Sequence, residues 1–363
     1  MIIHTIEDLA SLAQRLGSED AIALDTEFLR ERTYRAELCL IQIATRDHAA
    51  CVDPLGGGAL DPLLPVLRTS KTIKVLHAAR QDLEVLLPAT GPIASVFDTQ
   101  VAAALAGYPS QVGYAELARR LLGVELAKAH TRTDWSRRPL SPEQIEYALD
   151  DVRHLLPLRD ELVGTLERLG RLDWLAEELQ FLADERQLSV DPDDAWRRLK
   201  GLAGLDPGRV SLAHKLAAWR ERRASDRNRP RGWILDDAVL REIVLQVPRS
   251  PAALRGIAQM PESVARNSGA ELLAMVAASD ISQPPPALPR RQRPDPALTA
   301  AVKRLAEVTA TVAAELDLAP EVLATRRDLE QVARGEANVP PLKGWRRAMI
   351  GERLLATLAA TGD

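Results

Sequence analysis

Asp25 and Glu27 stand two residues apart at the end of an otherwise apolar run, Ala21-Ile22-Ala23-Leu24-Asp25-Thr26-Glu27-Phe28. Alternate side chains of a strand face the same way, so this run, read as a strand, converges both carboxylates on one spot. Two like charges held together require a cation. Asp82 follows a second apolar strand, Lys74-Val75-Leu76-His77, and falls early in a helix. Tyr147 and Asp151, four apart, share one face of a third element, again a helix. Asp150 points about 100° away and reads as their solvated neighbour. Asp25, Glu27, Asp82 and Asp151 together offer four hard oxygen donors, and no Cys cluster or paired His suggests zinc, so the implied cofactor is a pair of divalent ions, Mg2+ or Mn2+. Two such ions about 4 Å apart activate a water and stabilise the leaving oxygen in phosphodiester hydrolysis. Tyr147, one turn from a ligand, would orient that water. Taken singly, each residue has a plainer reading. Asp25 and Glu27 suit a strand emerging at the surface, Asp82 the dipole of a first helical turn, Asp151 an ion pair with Arg153 or His154, and Tyr147 the edge of an amphipathic core.

The elements that must position these residues change character near residue 140. Before it, strands at Ala21 to Phe28, Leu38 to Ala44, Ala49 to Val52, Thr72 to His77 and Ser95 to Phe97 alternate with helices. The helical patterns lie near Glu7 to Leu16, Leu60 to Leu67, Leu83 to Leu87 and Thr99 to Ala106. The spacing predicts an α/β domain with a mixed sheet: a close-set antiparallel meander first, then parallel additions separated by helices. From Ser141 onward the pattern is helical, opening on Ser141-Pro142-Glu143-Gln144 with the signature of a capping box.

The 363 residues are 46% hydrophobic and 27% charged, enough for two or three domains with buried cores, which excludes full-length disorder. The longest stretch without Asp, Glu, Lys or Arg, 99–115, is too short and too interrupted to span a bilayer. No basic-then-apolar leader opens the chain, and the two cysteines, Cys39 and Cys51, lie in apolar strands as small buried hydrophobes. The expectation is a reduced, cytoplasmic protein without a disulfide framework. The net charge of −4 conceals an asymmetry, −12 over residues 1–195 and +8 over 196–363. Opposite blocks suggest separate modules, the basic one suited to a polyanion. Composition divides the chain into 1–195, 196–281, a Pro-rich linker at 282–296, and 297–363.

Asp25-Thr26-Glu27-Phe28, Asp82, and Tyr147 with Asp151 resemble, in order, the three exonuclease motifs of the DEDD superfamily in its tyrosine-bearing branch. Arg32-Thr33-Tyr34, Asp53-Pro54-Leu55-Gly56, His77-Ala78, Phe97-Asp98-Thr99-Gln100 and Arg132-Thr133-Asp134-Trp135 extend the likeness over nearly the whole chain, which is similar to the bacterial ribonuclease D family. One Asp-x-Glu is common by chance, whereas all three motifs in order with these segments are specific. The resemblance implies a ribonuclease H-like first domain and metal-dependent removal of nucleotides from an RNA 3′ end, releasing nucleoside 5′-monophosphates. Transfer RNA precursors are the implied substrate class. Residues 208–277, with Leu216 to Ala224 and Asn228 to Asp237, resemble the helicase-and-RNase-D C-terminal (HRDC) domain, a small helical module associated with nucleic acids. Arg326 to Glu330 and Gly344 to Arg347 look like a divergent second copy.

Candidate RNA contacts follow. Phe28 could stack on the terminal base, against plain core packing. His77 could touch the terminal nucleotide, against a satisfied histidine at a strand end. Lys128 and Arg132 could hold a phosphate, while Trp135 reads as packing, Asp134 as an ion-pair partner and Asp98 as an N-cap. In the basic stretch, Arg220, Arg222, Arg223, Arg229 and Arg231 read as phosphate contacts, against a solvated face. Trp219 and Trp233 read as core anchors. The expected partner is RNA with a free 3′ end, with no membrane and no obligate protein partner. The alternatives are a DNA 3′–5′ exonuclease, since the metal site does not read the sugar, and a non-catalytic RNA-binding scaffold, which the full set of carboxylates disfavours.

Overall fold

A strand with apolar residues on both faces needs cover on both sides of its sheet. In the computed structural model, which describes residues 2–56, 60–126, 133–182, 188, 191–202, 204–279 and 295–360, β2 (Ala21–Leu29) is such a strand, with Ile22, Ala23 and Leu24 fully buried. The other strands are β1 (Ile2–Ile3), β3 (Glu37–Ala44), β4 (Ala49–Val52), β5 (Ile73–Leu76) and β6 (Val96–Asp98), and the sheet order is β1-β4-β3-β2-β5-β6. β3 and β4 run antiparallel, while β4 pairs with β1, β2 with β5 and β5 with β6 in parallel. The sheet is mixed, as the spacing predicts.

Around it lie α1 (Ile6–Leu16), α2 (Leu64–Arg68), α3 (Arg80–Thr90), α4 (Thr99–Leu105), α5 (Tyr114–Leu122), α6 (Pro142–Arg153), α7 (Leu155–Arg168) and α8 (Leu172–Leu182). The two-residue alternation of the strands separates two cores. Ile22, Leu24 and Leu76 pack with Leu9 and Leu12 of α1 and Leu83 and Leu86 of α3. Ala23, Val75 and Phe97 face Ala102 of α4, Leu117 of α5 and Leu158 and Leu162 of α7. The single helix expected at Leu60 to Leu67 is instead a 3-10 turn, Asp61–Leu63, followed by α2, because Pro62 and Pro65 interrupt the backbone donors. Helix α6 begins where the capping box predicts: Ser141 Oγ accepts from Gln144 N at 3.2 Å and Gln144 Oε1 accepts from Ser141 N at 2.7 Å. Cys39 and Cys51 are free and buried, and burial pushes the Cys51 thiol up to about 12. Among the described residues no helix is long and apolar enough to cross a membrane.

Two compact units emerge that are not successive in sequence. Met1–Leu29, Leu38–Leu188 and Arg293–Asp363 form the first, and Arg30–Glu37 with Ser189–Gln292 form the second. Contacts thus group the chain differently from the linear order 1–195, 196–281, 297–363. The last segment shares a core with the sheet's helices: Leu305, Val312, Leu323, Leu329 and Leu354 cluster with Leu105, Leu162, Leu166 and Leu175. Trp345 stacks on Trp174 at 4.4 Å and donates from Nε1 to Glu178 Oε1 at 2.8 Å. In the second unit, helices Pro207–Asp226, Arg231–Ile234, Asp237–Gln246 and Glu262–Ala277 enclose their own core. The β2–β3 connection belongs to this unit. Tyr34 packs on that core and its hydroxyl donates to Glu221 Oε1 at 2.5 Å, while Arg35 N donates to Asn228 Oδ1 at 3.0 Å. Residues 191–198 belong here too, because the 3-10 helix Pro192–Arg198 lies on Pro207–Asp226, with Trp196 edge-on to His214.

Helices begin at Pro207, Arg231, Asp237 and Pro251, and again 89 residues later at Pro296, Pro320, Arg326 and Pro340, the last a 3-10 turn. A duplicated module would leave such a constant offset. Residues 280–294, most of the expected linker, lie outside the described residues.

Candidate active site

Three elements converge on one group of carboxylates. β2 carries Asp25 and Glu27 on the same side, and Thr26 between them donates from Oγ1 to Asp82 Oδ1 at 2.6 Å. Asp82 lies in the first turn of α3. That turn is organised by Asp98, whose Oδ1 accepts from Ala78 N at 3.0 Å and whose Oδ2 accepts from Ala79 N at 2.8 Å; Oδ1 also caps α4 through Gln100 N at 2.8 Å. Ala78 sits at φ 56°, a left-handed conformation that these bonds hold in place. Asp98 is thus the N-cap its sequence position suggests. α6 supplies Tyr147 and Asp151. The end of α6 is fixed by Tyr114 of α5, whose hydroxyl donates to Asp150 O at 2.8 Å and accepts from His154 N at 3.3 Å.

Electrostatics show how closely the acids are gathered. Burial, then Asp82, Asp151 and Glu27, raise the Asp25 carboxyl well above its ordinary range. Burial, then Asp151 and Asp82, push Glu27 up to about 8. Asp151 rises to about 7 through burial, Asp150 and Asp82. Asp82 rises only to about 6, because the Thr26 hydrogen bond opposes its burial. Burial and the same acids raise the Tyr147 phenol to about 12, so it stays a hydrogen-bond donor at neutral pH. Arg153, a plain candidate to neutralise Asp151, instead pairs with Glu146 at 2.5 Å and with Asp150.

Among the described residues no group of three or more His, Cys, Asp or Glu side chains is placed so that it could hold a metal ion. The donor set fits divalent cations all the same. Its ligating atoms are hard carboxylate oxygens, and every one of the four acids is held above its ordinary pKa by burial, three of them also by one another, a deficit that bound positive charge would remove.

The remaining candidates divide. Phe28 is half-buried and outside every hydrophobic core of the described residues. His77 is a correction: Nδ1 bonds Thr99 Oγ1 at 2.8 Å and Nε2 bonds Val112 O at 3.0 Å, so neither ring nitrogen is left for a nucleotide. Lys128 and Arg132 lie outside the described residues. Asp134 pairs with Arg137 at 3.1 Å. Arg220 is a second correction. It is 5% exposed, donates to Leu235 O at 2.9 Å and to Asp237 Oδ1 at 2.6 Å, and holds the helical core together rather than facing a phosphate. Arg223 pairs with Glu271 at 2.6 Å and lies over Trp219, Arg231 is 3.5 Å from buried Glu221, and exposed Arg222 meets Asp193 at 2.7 Å. Arg229 is exposed, with no side-chain partner among the described residues. Trp219 is buried as expected, but Trp233 is 60% exposed, because Ile234 and Leu235 take the core positions of that short helix. A cavity of about 670 Å³ in this unit is lined by Lys215, Arg222, Arg223 and Arg227 but also by Asp226 and Glu271, so its charge is mixed. Sequence reasoning missed Thr26, Tyr114 and Arg138, none of which carries a chemical signature apart from its contacts.

Known proteins place this geometry. A 3′–5′ exonuclease family model matches residues 1–167, and an HRDC domain model matches residues 210–276. A ribonuclease D from Gluconacetobacter diazotrophicus is 42% identical over 98% of this chain and 92% of its own length, and one from Nitrobacter hamburgensis is 37% identical over 98% and 94%. The crystal structure of Escherichia coli RNase D, described as an exoribonuclease involved in structured RNA processing, superposes with a TM-score of 0.87 at 32% identity, covering 99% of both chains. The chain belongs to the ribonuclease D family and is a 3′–5′ exoribonuclease.

Proposed function

We propose that the chain trims 3′ ends of structured RNA, transfer RNA precursors among them, releasing nucleoside 5′-monophosphates by two-metal-ion hydrolysis. The observation that carries this reading is the gathering of Asp25, Glu27, Asp82 and Asp151 from three elements into one buried, mutually repelling group. These four would hold two divalent ions, Mg2+ or Mn2+. Bound there, such ions supply the positive charge that activates water and stabilises the leaving oxygen. Tyr147, protonated at neutral pH, donates a hydrogen bond that orients the attacking water. Thr26 keeps the Asp82 carboxylate aimed and easier to ionise. Phe28, half-buried beside Glu27, supplies a face for the terminal base. In the HRDC module the exposed arginines, Arg222 and Arg229 foremost, contact phosphates without reading sequence.

The test incubates the protein with 5′-labelled tRNA precursor, RNA duplex and single-stranded DNA, each with Mg2+, Mn2+ or EDTA. The expected result is a ladder shortening from the 3′ end of RNA only when metal is present. Equal laddering in EDTA would overturn the metal reading. Faster DNA degradation would favour a DNA exonuclease.

A further inference from the structure

Arg138 stands apart from the carboxylates, yet all five of its N–H donors are used. Nε and Nη2 grip Asp53 at 2.6 and 2.7 Å, Nη2 also reaches Cys39 O at 2.8 Å, and Nη1 donates to Trp135 O at 2.7 Å and Arg137 O at 2.9 Å. Asp53 is 2% exposed and follows directly on β4, while Cys39 lies in β3. One planar guanidinium therefore ties two strands of the sheet to the segment that leads into α6. Trp135, 4% exposed, has its carbonyl held in this clamp and its indole stacked on the Tyr147 ring at 6.2 Å and 28°. Both rings sit in one cluster with Cys39, Leu40, Cys51 and Leu149.

We propose that Arg138 is a positioning residue for the exonuclease reaction, acting through Trp135 to hold the Tyr147 phenol where it orients the attacking water. This rests on the role given to Tyr147 above. Tyr147 is half-buried, and α6 fixes its backbone while the side-chain torsions set where its ring lies. The stacked indole bears on that ring, and the indole is itself fixed by a carbonyl that Arg138 anchors to the sheet. Lysine cannot replace the clamp: an ammonium has three donors and no planar fork for a bidentate carboxylate.

The experiment is a double-mutant cycle on RNA hydrolysis with Arg138→Lys, Tyr147→Phe and the double variant, each compared by thermal unfolding. Small misplacements of a catalytic group cost up to about a hundredfold, and Arg138→Lys is expected to lower kcat about tenfold with KM little changed. In the Tyr147→Phe background it should have little further effect, since the hydroxyl it positions is gone. Trp135→Phe, which keeps an aromatic ring but shortens the stacked face, should behave likewise and serves if Arg138→Lys does not fold. Wild-type kcat in both Arg138→Lys and Trp135→Phe, or full additivity with Tyr147→Phe, would overturn the proposal. Wild-type kcat in Tyr147→Phe itself would overturn the role of Tyr147 and the proposal with it, an outcome distinct from slow Tyr147→Phe beside unaffected Arg138→Lys.

Discussion

Thr26 Oγ1 donates a 2.6 Å hydrogen bond to Asp82 Oδ1, joining two motifs that lie 56 residues apart in sequence. The bond is buried, and it is the largest of the hydrogen-bond contributions that hold the Asp82 carboxyl down against its burial. Thr26→Val preserves the shape and removes the donor. It should cost about 1–3 kcal/mol, the usual penalty for an abandoned buried partner, and raise the Asp82 pKa. The Mg2+ concentration for half-maximal activity should then increase, more at pH 6.5 than at pH 8. Equal metal requirements at both pH values would contradict this.

The raised acids also set how stability depends on pH. Glu27 at about 8, Asp151 at about 7 and Asp82 at about 6 keep protons that the unfolded chain releases in the ordinary carboxylate range. Their contribution is complete below that range and lost as pH climbs through these values. In EDTA the unfolding midpoint should therefore fall between about pH 5 and pH 9. Divalent metal, which binds the deprotonated forms, should reverse the fall. Differential scanning calorimetry with and without Mn2+ reads both.

Asp151→Asn should lower hydrolysis by roughly a thousandfold or more while leaving RNA affinity within about twofold, since it alters the charge that holds metal and not the surface that meets RNA. Comparable turnover in a ladder assay would remove Asp151 from the site.

Two arginines nine residues apart should behave oppositely. Arg220→Ala breaks a buried contact to Leu235 O and Asp237, and should destabilise the helical module by about 1–3 kcal/mol. Arg229→Ala should leave unfolding unchanged and reduce the slope of log affinity against log salt by about 0.7–0.9, one phosphate's worth. Titrations at several KCl concentrations separate the two.

Gly344 has φ +48°, and a Cβ there would lie 1.9 Å from Glu177 Oε2, the atom that accepts from Trp345 N at 3.0 Å. Gly344→Ala should unseat Trp345 from Trp174 and cost more than about 1 kcal/mol. Loss of the stacked pair can be followed by near-ultraviolet circular dichroism.

How much of this was legible in the sequence depends on how local the cause is. The strand at Ala21, the cap at Ser141 and the spacing of Tyr147 and Asp151 are written within a few residues, and the structure follows them closely. The two-residue β1 is too short to announce itself, and α5 starts from Gly113, which has no capping side chain to mark its beginning. Arg220 and Arg229 look alike in a basic run because burial is decided by Asp237 and Leu235, residues on the far side of a turn. His77 is likewise decided at a distance, by Thr99 and Val112.

The core shared by sheet, α7, α8 and residues 296–360 has a consequence for synthesis. A chain emerging amino end first completes Asp25, Glu27, Asp82 and Asp151 long before Leu305, Leu323 and Leu354 are available to cover Leu162 and Leu175. Closing contacts of such separation is slow compared with local folding. The nuclease core is therefore closed late, by a segment remote in sequence, and a chain cut before residue 296 would leave Leu162 and Leu175 without this cover and open to water.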